Sequence, residues 1–512
     1  MSEETQEIEL KAELEPADLA AIRSETPGES GARAQTLRSI YFDTADRRLL
    51  RAGVAWRLRR SKGRWTQTIK LGRPEGAALH TVREIETPAA AGLPALADIG
   101  EGDMRAHLEA LLDGRALAPV FEIAVRRSTR LITLDGSQIE MALDQGRIIA
   151  GNAQAPITEI EFELKAGAPQ AVFRCAARVL GGRAARLIQP AKSARGYALA
   201  DARALPAAAV ITTNVSQLDL GADAEAAFDA LLRLYARAFA ENLYVTLRSD
   251  DPEGPHQLRV ALRRLRAMLS AFAPIIRHKA RRKLRDGARR IARLASPLRD
   301  ADVLIDETLA PACGEGDAET RLLAALNGWR ARTRKAARAA LLEERATGFA
   351  LKALRLAELG AWRKKGDRHR ARGRMPAWTY LYAALEAGMA GAHGYGKKIS
   401  HLPAEARHEL RKDLKMLRYV AEAAAHDRPS PAAQRFLATL KRLQSRLGYL
   451  NDMDALKHFS PALGERAAAK TLKAVCARVH AQAQAKEKEM LAQADKAWRA
   501  LGKAEAFWRA PP

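Results

Sequence analysis

Polar and apolar side chains alternate in short segments along the first 200 or so residues, and Gly and Pro interrupt these segments. In the segment 7–11, Glu7, Glu9 and Lys11 alternate with Ile8 and Leu10. Because successive side chains of a strand point to opposite faces, this pattern predicts a strand with one charged and one apolar face. Similar alternation in the segments 57–59, 65–71, 84–86, 139–144 and 159–165 predicts a sheet of such strands.

The rest of the chain has a different pattern. Beyond about residue 220, Ala, Leu, Arg and Lys recur at helical spacing and β-branched residues are few. We therefore predict an α+β domain over 1–204, a linker over 205–221 and an all-α domain over 222–510. The formal charge is about +1 for 1–220 and about +24 for 221–512, so the helical half carries nearly all of the net charge of +25.

Composition excludes several classes of protein. No run of ~18 apolar residues is present, so we expect no membrane span. The acidic start of the chain lacks the apolar core of a signal peptide. Three cysteines, Cys175, Cys313 and Cys476, are too far apart for a disulfide scaffold or a zinc finger and suit a reducing compartment. We expect a cytoplasmic protein with an anionic partner.

The charged strand faces carry strong acids and bases rather than Thr, Ser or Gln. A solvated sheet with cross-strand Glu–Arg pairs would explain any one strand. The whole set favours a closed barrel with a charged interior, whose apolar outer face is covered by helices such as 17–24 and 103–112. Carboxylates bind Mg²⁺ or Mn²⁺, while Arg and Lys bind phosphate oxygens. Both signs in one cavity therefore indicate metal-assisted phosphoryl transfer.

The helical half contains an internal duplication at an offset of 152 residues, with repeats over about 222–346 and 374–505. Both copies contain a His followed by bases at +3, +7 and +10, which fall within an ~80° arc of a helix. The two stripes consist of His256, Arg259, Arg263 and Arg266, and of His408, Arg411, Lys415 and Arg418. A solvated helix face usually mixes acids with bases. Two stripes without acids instead predict a groove for a polyanion.

Other charged residues of this half leave alternatives open. The pairs Asp300/Asp302 and Asp452/Asp454 would suit a metal, but we favour helix capping or ion pairing with neighbouring Arg side chains. The basic segments 277–285 and 363–374 are expected to extend the anion-binding surface. Nucleic acid is a second candidate partner, because it also presents a phosphate backbone. Aromatic residues make up 5% of the chain and do not interleave with the stripes, which disfavours base stacking.

The first half resembles the CYTH domain, the triphosphate tunnel metalloenzyme family. The resemblance covers about 5–200 and rests on an ordered set of motifs: ExExK at 7–11, then segments 41–44, 57–59, 68–70, 83–86, 139–144, 159–163 and 192–197. It implies an eight-stranded antiparallel tunnel that cleaves or cyclises triphosphates with Mg²⁺ or Mn²⁺. Many members have a basic residue where this chain has Val82, and Arg83 is the candidate substitute.

The resemblance also implies roles for individual residues. Glu84 and Glu86 would order bases or position water as catalytic groups. Metal ligands would be Glu7, Glu9, Glu159, Glu161, Glu163 and Asp144. Triphosphate would contact Lys11, Arg57, Arg59, Lys70, Arg83, Arg127, Lys192 and Arg195.

The second half resembles the CHAD domain, a conserved-histidine α-helical domain, over about 222–505. This resemblance implies binding of inorganic polyphosphate, and CYTH followed by CHAD is a known bacterial arrangement. The implied binding residues are His256, Arg259, Arg263, Arg266, Arg290, His408, Arg411, Lys415, Arg418 and Arg442.

The sequence thus predicts a metal-dependent inorganic triphosphatase with a polyphosphate-binding module. One alternative is a non-catalytic protein that binds polyphosphate granules. Another is a CYTH enzyme that acts on an organic triphosphate, as a thiamine triphosphatase or an adenylate cyclase.

Overall fold

The computed structural model describes residues 4–25, 33–61, 63–71, 78–89, 93–187, 190–205, 207–215, 223–457, 459, 461, 463 and 466–509. The chain forms two compact units. One consists of Met1–Ala209 together with Arg345–Leu359, and the other of Val210–Glu344 and Gly360–Pro512. The segment 345–359 thus belongs to the N-terminal unit although it lies far along the chain.

The first unit contains a closed eight-stranded barrel in the order β1-β5-β4-β3-β2-β6-β7-β8, and every neighbouring pair is antiparallel. This confirms the fold class expected for the N-terminal half. The strands are β1 (Glu4–Glu13), β2 (Arg33–Asp43), β3 (Val54–Ser61), β4 (Arg64–Leu71), β5 (Leu79–Pro88), β6 (Ala118–Leu134), β7 (Ser137–Ala150) and β8 (Ala153–Ala166).

Helices accompany the barrel and make up the second unit. In the first 200 residues they are α1 (Pro16–Glu25), α2 (Arg48–Arg51), α3 (Asp103–Leu112), α4 (Pro169–Leu180) and α5 (Lys192–Ala200), with a 3-10 turn at Leu96–Asp98. Further along the chain lie α6 (Ala224–Arg248), α7 (Glu253–Ala271), α8 (His278–Leu294), α9 (Ser296–Asp302), α10 (Asp317–Glu343), α11 (Ala346–Glu358), α12 (Asp367–Gly373), α13 (Ala377–His393), α14 (Ala404–Asp427), α15 (Pro431–Lys457) and α16 (Arg466–Lys503). A π-helical turn spans Val303–Leu309, and 3-10 turns span Ala310–Ala312 and Ile399–His401.

The apolar outer face of the barrel is covered as the alternation predicted. Trp56 of β3 and Ile69 of β4 pack against Met104 and Leu108 of α3 in one buried cluster. The opposite residues of these strands point inwards, so the outer core fixes which side chains line the interior.

Apolar side chains fill one end of the barrel interior. Tyr41 of β2 stacks on Phe121 of β6 at 4.5 Å between ring centroids, and Phe121 meets the edge of Tyr197 of α5 at 5.1 Å. Ile123 and Ile157 complete this buried cluster. A β-carbon on Gly196 would lie 2.1 Å from the Phe121 ring, so glycine is needed for α5 to seat there.

Helix α11 packs on α4 of the barrel unit. The Thr347 hydroxyl donates to the carbonyl of Arg183 at 2.6 Å. The Glu358 carboxylate accepts from the backbone N–H groups of Ala78 and Leu79 at 2.7 and 2.8 Å, at the start of β5. A helix from the middle of the chain therefore completes the N-terminal unit.

In the second unit, α7 and α14 carry the two stripes and pack against each other. Their buried faces bear leucines, including Leu262 and Leu265 of α7 and Leu410 and Leu414 of α14. None of the helices in the described ranges is long and apolar enough to span a membrane.

Candidate functional site

The barrel interior is lined by acids and bases from seven of its strands and from α5. Alternation places them there, because on most of these strands the neighbouring positions, such as Leu58, Ile69 and Ile160, are in the outer core. The charged side chains in mutual contact are Glu7, Glu9, Lys11, Arg57, Lys70, Glu84, Arg127, Asp144, Glu159, Glu161, Lys192 and Arg195.

Three carboxylates converge on the ammonium of Lys192. Its Nζ lies 2.9 Å from Asp144 Oδ2, 2.6 Å from Glu159 Oε2 and 2.6 Å from Glu161 Oε1. All three acids are less than a tenth exposed. Lys192 reaches them because it is the first residue of α5, whose later residue Tyr197 is fixed in the apolar end of the barrel.

Arginines hold the same carboxylates from the other side. Arg127 of β6 donates to both oxygens of Asp144 at 2.7 Å and to Glu161 at 2.5 Å. Arg195, one turn after Lys192, pairs with Glu159. This cluster places three cations around three acids in a buried volume, so each side chain has a fixed position.

A second group of ion pairs lines the β1–β5–β4–β3 wall. Lys70 Nζ lies 2.5 Å from Glu7 Oε2 and 3.1 Å from Glu84 Oε2, and Arg57 lies 3.6 Å from Glu84. Across β1, Lys11 Nζ lies 2.6 Å from Glu9 Oε1. Lys11 is also 3.8 Å from Glu161, so it joins the two groups.

The pKa shifts follow from this crowding. Burial raises the pKa of Glu161, but Arg127, Lys192 and Lys11 outweigh burial and hold that pKa well below its usual range. Arg59 shows the reverse. Burial together with Arg57 and Arg127 lowers its pKa to about 10, and its Nε donates to the Ser39 hydroxyl at 3.1 Å. Arg59 therefore lies beside the like charges of Arg57 and Arg127, and an anion bound there would be stabilised.

The donor set of this site is suited to a hard divalent cation. Asp144, Glu159 and Glu161 supply the carboxylate oxygens that such ions prefer, and they already surround one cationic atom, Lys192 Nζ. Within the described ranges, no three Asp, Glu, His or Cys side chains are arranged around an open metal position. The residues fit a metal by their chemistry, provided that Lys192 leaves the carboxylates.

Three of the expected site residues lie apart from this cluster. Arg83 is exposed and alternates with Glu84, so it lies on the outer face of β5 rather than in the interior. Glu86 shares the inner face, opposite Thr68, but is exposed near the end of the strand. Glu163 pairs with Lys165 at 2.5 Å. The side chain of Val82 lies outside the described residues.

His80 is an interior residue that the sequence analysis missed. It lies on β5 directly opposite Glu9 and is 7% exposed. Burial and the nearby Lys11 lower its pKa to about 4, so its imidazole is neutral at physiological pH. Alternation from Glu84 back to residue 80 was the signal that could have identified it.

The two stripes of the second unit face each other. Burial lowers the pKa of Lys415 to about 6, and Arg263 and Arg259 of α7 contribute along with Arg411 and Arg418 of α14. Burial, Arg299, Arg259 and Arg263 likewise lower the pKa of His256. These mutual effects show that bases of both repeats crowd one surface, which we call the groove.

Acids and amides at the groove orient its bases. Asp300 lies 3.1 Å from Arg259, which agrees with the preferred ion-pairing interpretation. In the second repeat, Asn451 hydrogen-bonds Nδ1 of His408. Glu422, which the sequence analysis missed, lies 2.7 Å from Arg264 of α7 and 3.4 Å from Arg418 of α14.

Two expected groove residues have local partners instead. Arg290 is exposed and pairs with Glu344 at 2.7 Å, whereas its neighbour Arg289 contributes to lowering the pKa of Arg266. Arg442 donates to the hydroxyl of Thr439 at 3.0 Å within α15. Arg289 thus adds positive charge near Arg266 of the groove, whereas Arg290 pairs with Glu344.

Comparisons with known proteins agree with this architecture. Residues 5–197 match the CYTH domain model and residues 230–461 match the CHAD domain model. An inorganic triphosphatase of Haemophilus influenzae is 32% identical over 170 residues, which are 32% of this chain and 46% of that protein. The chain thus spans about half the length of this curated relative.

Solved structures include the CHAD domain from the plant Ricinus communis, with a TM-score of 0.47 and 24% identity, covering 58% of this chain and 98% of that one. PptA from Streptomyces chartreusis has a TM-score of 0.37 and 16% identity, covering 55% of this chain and 99% of that one. Neither superposes closely enough to bear on function.

Proposed function

Because the chain consists of a CYTH domain followed by a CHAD domain, we propose that it is a metal-dependent inorganic triphosphatase with a polyphosphate-binding module. The observation that carries the proposal is the convergence of Asp144, Glu159 and Glu161 on Lys192 in a buried, arginine-rich interior. A site for an uncharged or a singly charged ligand has no use for so many buried charges of both signs.

Mg²⁺ or Mn²⁺ would be held by Asp144, Glu159 and Glu161, with Glu7 and Glu9 of β1 as further ligands. Glu163, which pairs with Lys165, lies apart from this set. When bound, the metal would supply a Lewis acid that polarises the phosphoryl group and favours attack by water. Glu84 orders Lys70 and Arg57, and Glu86, an exposed carboxylate on the same face of β5, would help to position water.

The bases of the barrel would exchange partners when substrate arrives. Lys192 and Arg127 now neutralise carboxylates, and phosphate oxygens offer them equivalent charge-assisted hydrogen bonds. Arg59, which lies beside Arg57 and Arg127, would also contact a phosphate. Lys11, Arg57, Lys70 and Arg195 would complete the phosphate contacts.

The filled end of the barrel favours a short substrate. Tyr41, Phe121 and Tyr197 pack together there, and a charged chain would have to displace these buried rings in order to pass. A linear phosphate would enter from the other end and stop, which suits tripolyphosphate or the terminus of a longer chain. The named activity of the Haemophilus influenzae relative, an inorganic triphosphatase, supports the same substrate.

The groove would bind longer polyphosphate and hold the enzyme near chain ends, which raises their effective concentration. Its bases repel one another, since Arg263 and Arg411 lower the pKa of Lys415, and a polyanion would relieve that repulsion. We expect a cytoplasmic enzyme that associates with polyphosphate granules.

The test separates the two domains. Glu9→Ala should abolish metal-dependent phosphate release from tripolyphosphate and leave polyphosphate binding intact. Arg259→Ala combined with Arg411→Ala should do the opposite. Lys470→Glu, at an exposed position of α16, serves as the control. If either change reduced hydrolysis and polyphosphate binding equally, the assignment of hydrolysis to the barrel and of binding to the groove would be refuted.

The alternatives predict other outcomes. A folded protein that binds polyphosphate but releases no phosphate with Mg²⁺ or Mn²⁺ would be a granule-binding protein. Faster turnover of thiamine triphosphate, or cyclisation of ATP, would identify an organic triphosphate as the substrate.

A further inference from the structure

A second basic cavity lies in the helical unit, where the basic segments 277–285 and 363–374 meet. Its volume is about 560 Å³. The residues that line it are Arg277, His278, Lys279, Lys364, Lys365 and His369. Every one of these side chains is a base, and no acid is among them.

The backbone holds the two walls of this cavity together. Ile276 and Arg363 form an antiparallel bridge, and the N–H of Arg277 donates to the carbonyl of Trp362 at 2.9 Å. Trp362 is 1% exposed, so it anchors the second wall in the core. The cavity is therefore a feature of the fold rather than a chance meeting of long side chains.

Within the part of the chain that the structure describes, no acid forms an ion pair with a base that lines the cavity. Asp367 pairs with Arg370, and Glu225 pairs with Arg363, so these acids serve bases outside the lining. Burial, Arg372 and Arg281 lower the pKa of Lys364, as expected for an ammonium among like charges. The lining also includes the first residues of α8, a 17-residue helix whose free N–H groups favour an anion.

Helix α8 connects the cavity with the groove. Arg281, Arg285 and Arg289 are spaced four residues apart and so lie along one face, over about 12 Å. At one end, the charge of Arg281 contributes to lowering the pKa of Lys364 in the cavity. At the other end, the charges of Arg285 and Arg289 contribute to lowering the pKa of Arg266 in the groove.

We propose that the cavity is a second phosphate-binding site, which takes a distant stretch of the same polyphosphate chain that lies in the groove. The row of arginines on α8 carries the chain between the two sites. Identification of the ligand as polyphosphate rests on the proposed function. The presence of a basic cavity does not depend on that function, because its lining residues define it.

The test is the binding of long-chain polyphosphate to the full-length protein in EDTA at several salt concentrations. The variant is Lys279→Glu with Lys365→Glu, since both side chains are exposed and reversal leaves the core unchanged. The control is Lys470→Glu with Lys486→Glu, an equal change of net charge at exposed positions of α16. Circular dichroism and thermal denaturation would show that the helical unit of each variant is folded, because hydrolysis reports only on the barrel.

We expect the cavity variant to bind long polyphosphate at least fivefold more weakly than the control. Its salt slope should fall by about 1.4, or about 0.7 for each of two lost contacts. Short oligophosphates that fill only the groove should bind both variants equally. Equal affinities of the two variants for long chains would overturn the inference. Displacement of polyphosphate by duplex DNA at equal charge concentration would also overturn it, because nucleic acid would then be the ligand.

The groove variant separates this inference from the proposed function. Weak binding by Arg259→Ala/Arg411→Ala, with the cavity variant equal to its control, would leave the proposed function standing and refute the second site. Loss of binding by the cavity variant alone would support the cavity and refute the groove.

Discussion

Binding of polyphosphate should become weaker as the pH rises from 6.5 to 8.0, and Lys415 should be the cause. Its pKa of about 6 means that the side chain is mostly neutral in the free protein at pH 7. A polyanion in the groove would favour the ammonium, so binding would take up a proton. Uptake of a proton on binding makes the affinity fall with increasing pH.

The magnitude follows from the titration of a single group. If the ammonium is retained throughout this range in the complex, the affinity falls by up to tenfold for each pH unit well above the free pKa. For a pKa of about 6, the loss between pH 6.5 and 8.0 is roughly 25-fold. The pKa of His256 is below 6.5, so that residue contributes mainly at lower pH.

The assay is equilibrium binding of long polyphosphate at constant ionic strength, with calorimetry in two buffers to count protons. Lys415→Arg keeps a charge that does not titrate and leaves both groove histidines in place. It should therefore bind with a nearly flat pH profile, while Lys415→Met should bind more weakly and also without the steep slope. A parent profile that runs parallel to that of Lys415→Arg would refute the reasoning.

Two further predictions concern the barrel. Gly196→Ala should lower the free energy of unfolding by about 1–3 kcal/mol, because the added methyl group meets the ring of Phe121. Thermal denaturation would measure this loss. The control is Gly391→Ala, because a methyl group at that position points into open space. His80 has a folded pKa of about 4 and an ordinary value of 6.5, so the unfolded chain binds the extra proton and the fold loses about 2 kcal/mol between pH 7 and pH 5. His80→Gln should remove that part of the acid sensitivity in denaturant titrations with EDTA; an unchanged dependence on pH would show that the imidazole is not buried neutral.

The period of the pattern was enough to predict strands with one charged face, and the strong acids and bases on those faces indicated a closed barrel. It also determined the interior positions of Glu9 and Arg57. Arg83 is different, because its alternation with Glu84 places it on the outer face of β5. Only the family resemblance had suggested Arg83 as a phosphate-binding residue.

Partners that are distant in sequence could not be predicted. The choice between Arg289 and Arg290 depends on the rotation of α8, which the repeat alone does not define. The position of Lys192 among three acids depends on where α5 seats, which only the packing of Tyr197 determines. The bridging acid Glu422 acts between two helices, and no pattern within either helix identifies it.

Helix α11 has a consequence for synthesis of the protein. The ribosome completes β8 and α5 long before it reaches Glu358, whose carboxylate binds the backbone at the start of β5. At about 5–20 residues per second, translation of the intervening ~160 residues takes roughly 8–30 s. During that time α4 lacks its packing partner, so the nascent barrel would be a natural client for a chaperone. A fragment that ends near residue 209 would remain in that incomplete state permanently.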